Sequence, residues 1–238
     1  MRIALIGYGK MGIAIEELGA IAGHSISFKI GKENQKELEK VNAANTDVVI
    51  EFSDPSIAVH NIVYCLNQHI PVVCGTTGWL DNWSKVKEAC TLNKGTFFYA
   101  SNYSIGVNLF FKINEFAAKI MNKQAYKVEI EEIHHTEKKD SPSGTAITIA
   151  EPIMQERGMN NWMNTKSDSN AVVGIISKRE ASVPGTHTVT YTSSIDEISM
   201  THIAHTRKGF AKGALAVAEW IYNTKTKGIL SMNDFLTF

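Results

Sequence analysis

Residues 129–146 read EIEEIHHTEKKDSPSGTA and concentrate side chains that handle protons and anions. The adjacent histidines His134 and His135 can each give or accept a proton near neutral pH. Lys138 follows a few residues later and adds a mobile cation in what we expect to be a loop. Histidine pairs and basic runs also occur as plain solvated surface, so the alternative for this segment is a polar loop.

The turn that ends this segment, Pro142-Ser143-Gly144-Thr145, is typical of a helix N-terminus, with Ser143 or Thr145 as the candidate cap. A helix start offers free N–H groups and a partial positive charge, which suit a carboxylate or a phosphate. Together with the histidines and the lysine, this turn predicts a site for an anionic substrate with an acid/base group.

A second motif, GYGKMG at residues 7–12, stands between an apolar run at 2–6 and a helical pattern at 13–22. Gly7 would allow the tight turn, Gly9 the approach of a pyrophosphate to the backbone, and Gly12 close helix packing. GxGxxG in this context predicts a dinucleotide site; the alternative is a glycine-rich turn without a ligand.

The elements that must position these motifs alternate along the first half of the chain. The patterns predict strands at 2–6, 25–30, 47–52, 71–74 and 97–100, with helices at 13–22, 53–67 and 81–92. Such alternation favours a doubly wound parallel sheet, which keeps its ligands at the carboxyl ends of the strands. Small residues, GTTG at 75–78 and SNYS at 101–104, follow two of these strands.

The second half changes character. A helix at 107–121 carries an apolar stripe that we expect to be core. Residues 157–170 are polar and predict a loop, while strands at 172–178, 186–193 and 197–205 follow without intervening helices and favour an antiparallel or mixed sheet. A last amphipathic helix at 209–222 returns to the first domain. The apolar stripe of the helix at 107–121 consists of Leu109, Phe110, Ile113, Phe116, Ala117 and Ile120.

Composition excludes several classes of function. With 24 basic and 24 acidic residues the net charge is zero, which argues against a nucleic-acid binder. The three cysteines form no CxxC pair and fit a reducing compartment. We find neither an apolar run of the ~20 residues that a membrane span needs nor a signal peptide, so we expect a cytoplasmic protein.

The remaining histidines give weaker signals. Without HxH, HExxH or Cys/His ligand spacing, a metal site is not expected. His187, His202 and His205 lie in strand patterns, where they could line the site or an interface or be structural.

The end of the predicted second strand bears on the choice of cofactor. Many dinucleotide-binding folds place an acid there to hold the ribose hydroxyls. This chain has Gly31 at that position, with Lys29 and Lys32 on either side. We therefore expect NADPH to be used at least as well as NADH; the alternative is that Glu33 folds back onto the ribose.

Taken in order, the motifs EIHHTEKKDSPSGTA, GTTG, ASNYSIGVN, VPGTHTV and HTRKGFAKGAL resemble the 4-hydroxy-tetrahydrodipicolinate reductases, or dihydrodipicolinate reductases, of lysine and diaminopimelate biosynthesis. The resemblance runs almost end to end. It implies an α/β fold: a Rossmann-type parallel-sheet domain (1–104, with 206–238 returning to it) plus an α+β mixed-sheet domain for substrate binding and tetramerisation (105–205). The expected assembly is a homotetramer.

The resemblance also implies roles for individual residues. His134 matches the proton donor and Lys138 the catalytic lysine, while the dicarboxylate substrate would be bound by His135, Ser143, Gly144 and Thr145. In the reaction that the resemblance implies, a cyclic imine dicarboxylate would lose its hydroxyl as water, accept a hydride from NADPH or NADH at ring carbon C4, and be protonated as an enamine. The nicotinamide cofactor would contact Gly7, Gly9, Lys10, Met11, Gly12, Ser53, Gly75, Thr77, Ala100, Asn102 and Tyr103.

Two rival functions fit parts of the chain. A different nicotinamide dehydrogenase, such as one acting on an amino acid, is compatible with the first domain but gives no reason for the PSGT turn beside His134 and Lys138. A non-enzymatic NAD(P)-sensing module that binds DNA or a protein predicts a basic helix-turn-helix or an excess of charge, and the sequence has neither.

Overall fold

The computed structural model describes residues 1–167, 169, 171–206 and 208–237. It divides into two compact units, the first formed by Met1–Ser104 with Lys208–Phe238 and the second by Ile105–Arg207. Residues 168 and 170 of the predicted loop, and Arg207 of the C-terminal motif, lie outside the described residues.

The strands, numbered in chain order, are β1 (Arg2–Ile6), β2 (Ser25–Ile30), β3 (Val48–Glu51), β4 (Val72–Cys74), β5 (Thr96–Tyr99), β6 (Lys127–His134), β7 (Asn161–Met163), β8 (Val172–Arg179), β9 (Gly185–Thr192), β10 (Glu197–Ala204) and β11 (Gly228–Leu230). The helices are α1 (Lys10–Ile21), α2 (Pro55–Asn67), α3 (Trp83–Leu92), α4 (Ile105–Met121), α5 (Gly144–Arg157), α6 (Lys208–Thr224) and α7 (Met232–Leu236). Short 3₁₀ turns occupy Gln35–Lys40 and Leu80–Asn82.

The first unit is built on a parallel six-stranded sheet in the order β11-β5-β4-β3-β1-β2. Strands β3 and β4 are buried on both faces, as the continuous apolar runs of a covered parallel sheet require. The predicted doubly wound sheet is confirmed. Since β1 pairs with β2 on one side and β3 on the other, the strand order reverses there. A crevice for a ligand is therefore expected at the carboxyl ends of β1 and β3.

The second unit holds a five-stranded sheet in the order β10-β9-β6-β8-β7. β6 is parallel to β8 and antiparallel to β9, which confirms the mixed alternative. Residues on one face, among them Ile130, Val173 and Val189, pack with Ile149 and Ile153 of α5 into one buried core. On exposed positions of β9 and β10, hydroxyl side chains pair across the strands, for example Thr188 with Thr201 at 3.1 Å.

The expectation that the α4 stripe is core was wrong for most of its members. Residues of α4 that are buried include Val107, Phe110, Asn114 and Met121, and the Asn114 amide donates to the Ile149 carbonyl of α5 at 2.8 Å. The apolar stripe is wider than the contact with α5, so periodicity located the helix but not its buried face. Four stripe residues are exposed: Leu109 (43%), Ile113 (56%), Phe116 (66%) and Ile120 (55%).

Two further boundaries differ from the predictions. The segment 157–170 contains the short strand β7, whose Trp162 pairs with Val173 of β8. Three residues give too short a pattern to separate from a loop. Helix α1 begins at Lys10, inside the glycine motif, because Gly9 already has the extended backbone of an N-cap.

Candidate active site

The glycine motif forms a tight turn between β1 and α1. Gly7 has φ +93°, and a Cβ at this position would lie 1.9 Å from the Phe52 carbonyl oxygen, so only glycine fits. A Cβ at Gly12 would lie 2.6 Å from the Gly7 carbonyl oxygen, so glycine at this position lets α1 lie close against the turn that precedes it. At Gly9 a Cβ would meet nothing within 4 Å. Gly9 is the N-cap and has no side chain to cover the first N–H groups of α1, so these can take a phosphate.

A cleft of about 420 Å³ lies at the reversal of strand order that the topology predicts. Gly7 and Gly9 line it from the turn after β1, Ser53 and Asp54 from the end of β3, and Lys32 from the end of β2. Its position and its glycine lining fit the pyrophosphate and adenosine ribose of a dinucleotide.

Ser53 is held in this cleft by a network that the sequence patterns did not reveal. Its N–H donates to Thr76 Oγ1 at 2.8 Å, and its hydroxyl donates to the carboxylate of Glu51. Glu51 is fully buried and also accepts a bond from the Cys74 thiol at 3.3 Å. Burial and the neighbouring Glu51 raise the pKa of that thiol well above its usual range. Glu51 therefore contacts both Ser53, in the turn after β3, and Cys74, at the end of β4.

The other predicted cofactor residues differ in exposure. Gly75 leaves room for Phe52, since a Cβ there would lie 2.1 Å from the ring. Thr77 and Lys10 are exposed, whereas Met11 packs partly buried against the core and Ala100 is buried. The buried Tyr103 donates its hydroxyl to the Cys74 carbonyl at 2.7 Å, and Asn102 accepts the Ser104 N–H at 2.9 Å. Tyr103 therefore braces the end of β4 with its hydroxyl.

The lysines around Gly31 have different surroundings. Lys29 Nζ forms an ion pair with Glu16 at 2.6 Å and lies 5.4 Å from the centre of the Tyr8 ring. The bond to Glu16 raises the pKa of Lys29. Lys32 is exposed and lines the cleft, whereas Glu33 is exposed and is not among the described residues that line it.

In the second unit, strand alternation places Glu132 and His134 on the same face of β6, beside the core residue Ile130. Helix α5 starts opposite them. Ser143 is its N-cap, and the Ser143 hydroxyl accepts the Ala146 N–H at 3.1 Å, which settles the choice between Ser143 and Thr145. Gly144 is exposed, and a Cβ there would meet nothing within 4 Å, so the helix start is open to a ligand.

Glu132 is the centre of the polar network in this unit. Its Oε1 atom accepts the Ser143 N–H at 3.0 Å and faces the Arg179 guanidinium at 3.4 Å. Its Oε2 atom lies 3.4 Å from His134 Nδ1 and 3.8 Å from His187 Nε2. Burial alone would raise the pKa of Glu132, but the nearby His134 and the bonds from Ser143 outweigh it and hold that pKa far below its usual range.

His187 of β9 completes the cluster, which the sequence had left undecided. Its ring stands at 73° to that of His134 with the centres 5.0 Å apart, and its Nε2 lies 3.4 Å from Ser143 Oγ. Burial, and secondarily the neighbouring His134, lower the pKa of His187 to about 3, so its ring is neutral. His202 is half-buried beside Phe110 and His205 is exposed; neither joins the cluster.

Lys138 lies in a loop braced by Arg179. The ammonium group contacts both carboxylate oxygens of Asp140 at 2.8 Å. Arg179 donates to the carbonyls of Asp140 at 2.6 Å and Lys138 at 3.4 Å. His135, half-buried, accepts the Lys138 N–H at 3.2 Å through its carbonyl. His134 itself is buried at the end of β6, before the loop that carries Lys138.

Donor atoms of Glu132, His134 and His187 lie within 4.8 Å of one another, a spacing that a metal ion could span. One oxygen of the carboxylate is already engaged by the Ser143 N–H and by the Arg179 cation, while the Lys138 ammonium is itself paired with Asp140. The Arg179 cation beside the carboxylate opposes a divalent cation, whereas the carboxylate and the two imidazoles can hold and move a proton.

The sequence analysis did not single out Glu132 or Arg179 as site residues, and it left the role of His187 undecided. Glu132 was detectable, because residues two apart on one strand share a face. Arg179 and His187 come from β8 and β9 and are brought together only by the pairing of β6 with both strands.

The parallel sheet, the glycine turn and the cleft at the strand reversal define a dinucleotide-binding protein with a Rossmann-type unit. Comparison with known proteins gives the family. The model of the dihydrodipicolinate reductase N-terminus matches residues 1–103, and that of its C-terminus matches residues 106–236. The chain belongs to the dihydrodipicolinate reductase family.

Relatives and solved structures agree with this assignment. A 4-hydroxy-tetrahydrodipicolinate reductase of Christiangramia forsetii is 48% identical over 239 residues, covering 100% of this chain and 98% of the relative. The enzyme of the same name from Archaeoglobus fulgidus is 36% identical over 93% of this chain and 87% of its own. The dipicolinate-bound dihydrodipicolinate reductase of Paenisporosarcina sp. TG-14 shares the fold, with a TM-score of 0.79, 22% identity and 97% coverage of both chains.

Proposed function

We propose that this protein reduces 4-hydroxy-tetrahydrodipicolinate to tetrahydrodipicolinate with NADPH or NADH, in lysine and diaminopimelate biosynthesis. The observation that carries the proposal is the 48% identity to a curated 4-hydroxy-tetrahydrodipicolinate reductase along the whole chain. The polar cluster of the second unit supports it, because an acid/base group, a cation and an open helix start are what this substrate requires.

The first unit would hold the cofactor. Gly7, Gly9 and Gly12 shape the turn, and the uncapped N–H groups of α1 would bind the pyrophosphate. Ser53, fixed by Glu51 and Thr76, lines the same cleft. When bound, the reduced nicotinamide supplies a hydride, and the residues of this unit position and orient it. Further candidate contacts are Lys10, Met11, Gly75, Thr77, Ala100, Asn102 and Tyr103.

The second unit would hold the dicarboxylate. The N–H groups of Gly144 and Thr145, in the first turn of α5, would bind one carboxylate, with the partial positive charge of the helix start in support. Lys138, steered by Asp140, would pair with the second carboxylate or stabilise the negative charge that develops in the ring. His134 would donate the proton to the enamine, and His135 would help to bind the substrate.

We further propose a homotetramer assembled through strands of the second unit, in the cytoplasm. β10 is an edge strand with Ile198 and Ile203 exposed, and such edges favour pairing with another chain. Three free, buried cysteines and the need for a reduced nicotinamide fit a reducing compartment. Among the described residues no helix is both long and apolar enough to cross a membrane.

The test is oxidation of NADPH by the purified protein with freshly prepared 4-hydroxy-tetrahydrodipicolinate. We expect turnover that depends on this substrate and none with amino or keto acids in its place. Turnover with an amino acid instead would favour the rival dehydrogenase. Cofactor binding without any turnover would favour the sensing module.

A further inference from the structure

We propose that Glu132 is the positioning residue that orients His134 as the proton donor and couples it to the anion-binding helix start. The inference rests on the proposed function and deepens it. The carboxylate is fully buried and directs one oxygen at the Ser143 N–H (3.0 Å) and the other at His134 Nδ1 (3.4 Å). One side chain thus contacts both halves of the substrate site in this unit.

The charge on Glu132 is what makes this arrangement effective. A carboxylate is an acceptor at both oxygens, so it requires Nδ1 of His134 to carry a proton. The mobile proton is then left on Nε2, on the opposite side of the ring. Gly185 lies beside Nε2 and places no side chain against it, since a Cβ at that position would come within 3.1 Å of Nε2.

The proton passes from His134 to the reduced ring of the substrate while Glu132 stays ionised. The Nε2–H bond of the His134 imidazolium breaks as the proton forms a bond to the enamine carbon of the reduced ring. The imidazolium becomes neutral imidazole, and its remaining proton stays on Nδ1, facing Glu132 Oε2. Solvent then restores the proton on Nε2. The carboxylate stays ionised throughout, because its pKa lies far below its usual range.

Other charged and titratable groups near His134 do not replace Glu132. His187 from β9 is neutral, as its pKa is lowered to about 3, chiefly by burial. Arg179 from β8 contacts Glu132 Oε1 and the carbonyls of the loop, and Lys138 is paired with Asp140. Among the described residues around His134, Glu132 is therefore the anion that can fix its Nδ1 proton.

The test is Glu132→Gln, which keeps the shape of the side chain. The amide oxygen would remain opposite the Ser143 N–H and Arg179, so the amide nitrogen would face His134 as a donor. Nδ1 must then accept, which places the single proton of neutral His134 on Nε2 and disfavours the imidazolium. The matched control is Glu131→Gln, one residue earlier on the other face of β6, where the carboxylate pairs with Lys178 at 2.5 Å.

Two measurements are made on both variants. Steady-state kinetics should show kcat lowered by roughly 10²-fold or more in Glu132→Gln, with KM for the substrate little changed. The control should keep kcat within about twofold, because exposed ion pairs are worth little. Nitrogen-15 NMR of the histidine rings, without substrate and at a pH where His134 is neutral, should show its single ring proton on Nδ1 in wild type and control and on Nε2 in Glu132→Gln.

A wild-type-like kcat in Glu132→Gln, or a His134 proton that stays on Nδ1, overturns the proposal. If the variant does not fold because Arg179 is left without its anion, the double variant Glu132→Gln/Arg179→Met removes both charges and is measured in the same way. The NMR result does not depend on the substrate. It therefore separates failure of this inference from failure of the proposed function, which would appear as a wild-type enzyme inactive on 4-hydroxy-tetrahydrodipicolinate.

Discussion

Replacement of Lys32 by alanine should weaken the use of NADPH and leave the use of NADH almost unchanged. Lys32 is exposed and lines the cleft beside Gly31, where the adenosine ribose of a dinucleotide would lie. A 2′-phosphate is present only in NADPH, so a cation at this position acts on one cofactor and not on the other.

The expected size follows from the exposure of Lys32. An exposed ion pair contributes about 0–1 kcal/mol, so kcat/KM for NADPH should fall by about fivefold or less. Gly31→Asp should act in the same direction, because an acid there repels the phosphate. The substitution has room, since a Cβ at Gly31 would meet only Asn34 Oδ1 at 3.8 Å.

Lys29→Ala is the matched control. Lys29 is of the same type and close in sequence, but it is held by Glu16 and the Tyr8 ring. We expect the ratio of kcat/KM for NADPH to that for NADH to fall in Lys32→Ala and Gly31→Asp and to stay at the wild-type value in Lys29→Ala. A wild-type ratio in both cleft variants would refute the reasoning, because the loop after β2 would then not contact the ribose.

Three further predictions follow from the structure. His134→Gln and Lys138→Ala should each lower kcat by ~10²–10⁴-fold, and Lys138→Ala, which lies in a loop, should leave thermal melting little changed; turnover at the wild-type level would remove both from the mechanism. Acid should destabilise the second unit: His187 prefers the neutral form in the folded state, so its contribution is present above about pH 6.5 and is lost as the pH falls towards about 3. Melting curves of wild type and His187→Gln across this range should converge as the pH falls, and parallel curves would contradict the shift. Light scattering at micromolar protein should give a tetramer, and Ile203→Lys on the exposed edge strand β10 should weaken it; a monomeric wild type would exclude the assembly.

The sequence predicted most where local chemistry decides the structure. The glycine motif located the turn after β1, and the PSGT turn located the start of α5, because cap and turn residues act over a few neighbouring positions. The parallel sheet followed from buried apolar runs, which need no knowledge of their partners.

The remaining features depend on contacts between distant segments. His187 reaches the site because β9 pairs with β6, and Arg179 because β8 pairs with the other edge of β6. The buried face of α4 was mispredicted because its stripe is broader than the surface that α5 covers. The sequence placed Lys29 and Lys32 on either side of Gly31, but it could not show that Glu16 on α1 engages Lys29.

The most direct measurement follows the hydride itself. The purified protein is supplied with 4-hydroxy-tetrahydrodipicolinate and with NADPH carrying deuterium at the transferable position of the nicotinamide, and the product is analysed by NMR. The proposed function predicts tetrahydrodipicolinate with deuterium at ring carbon C4 and oxidised cofactor in equal amount. Cofactor oxidation without this product, or a product free of deuterium, would contradict it.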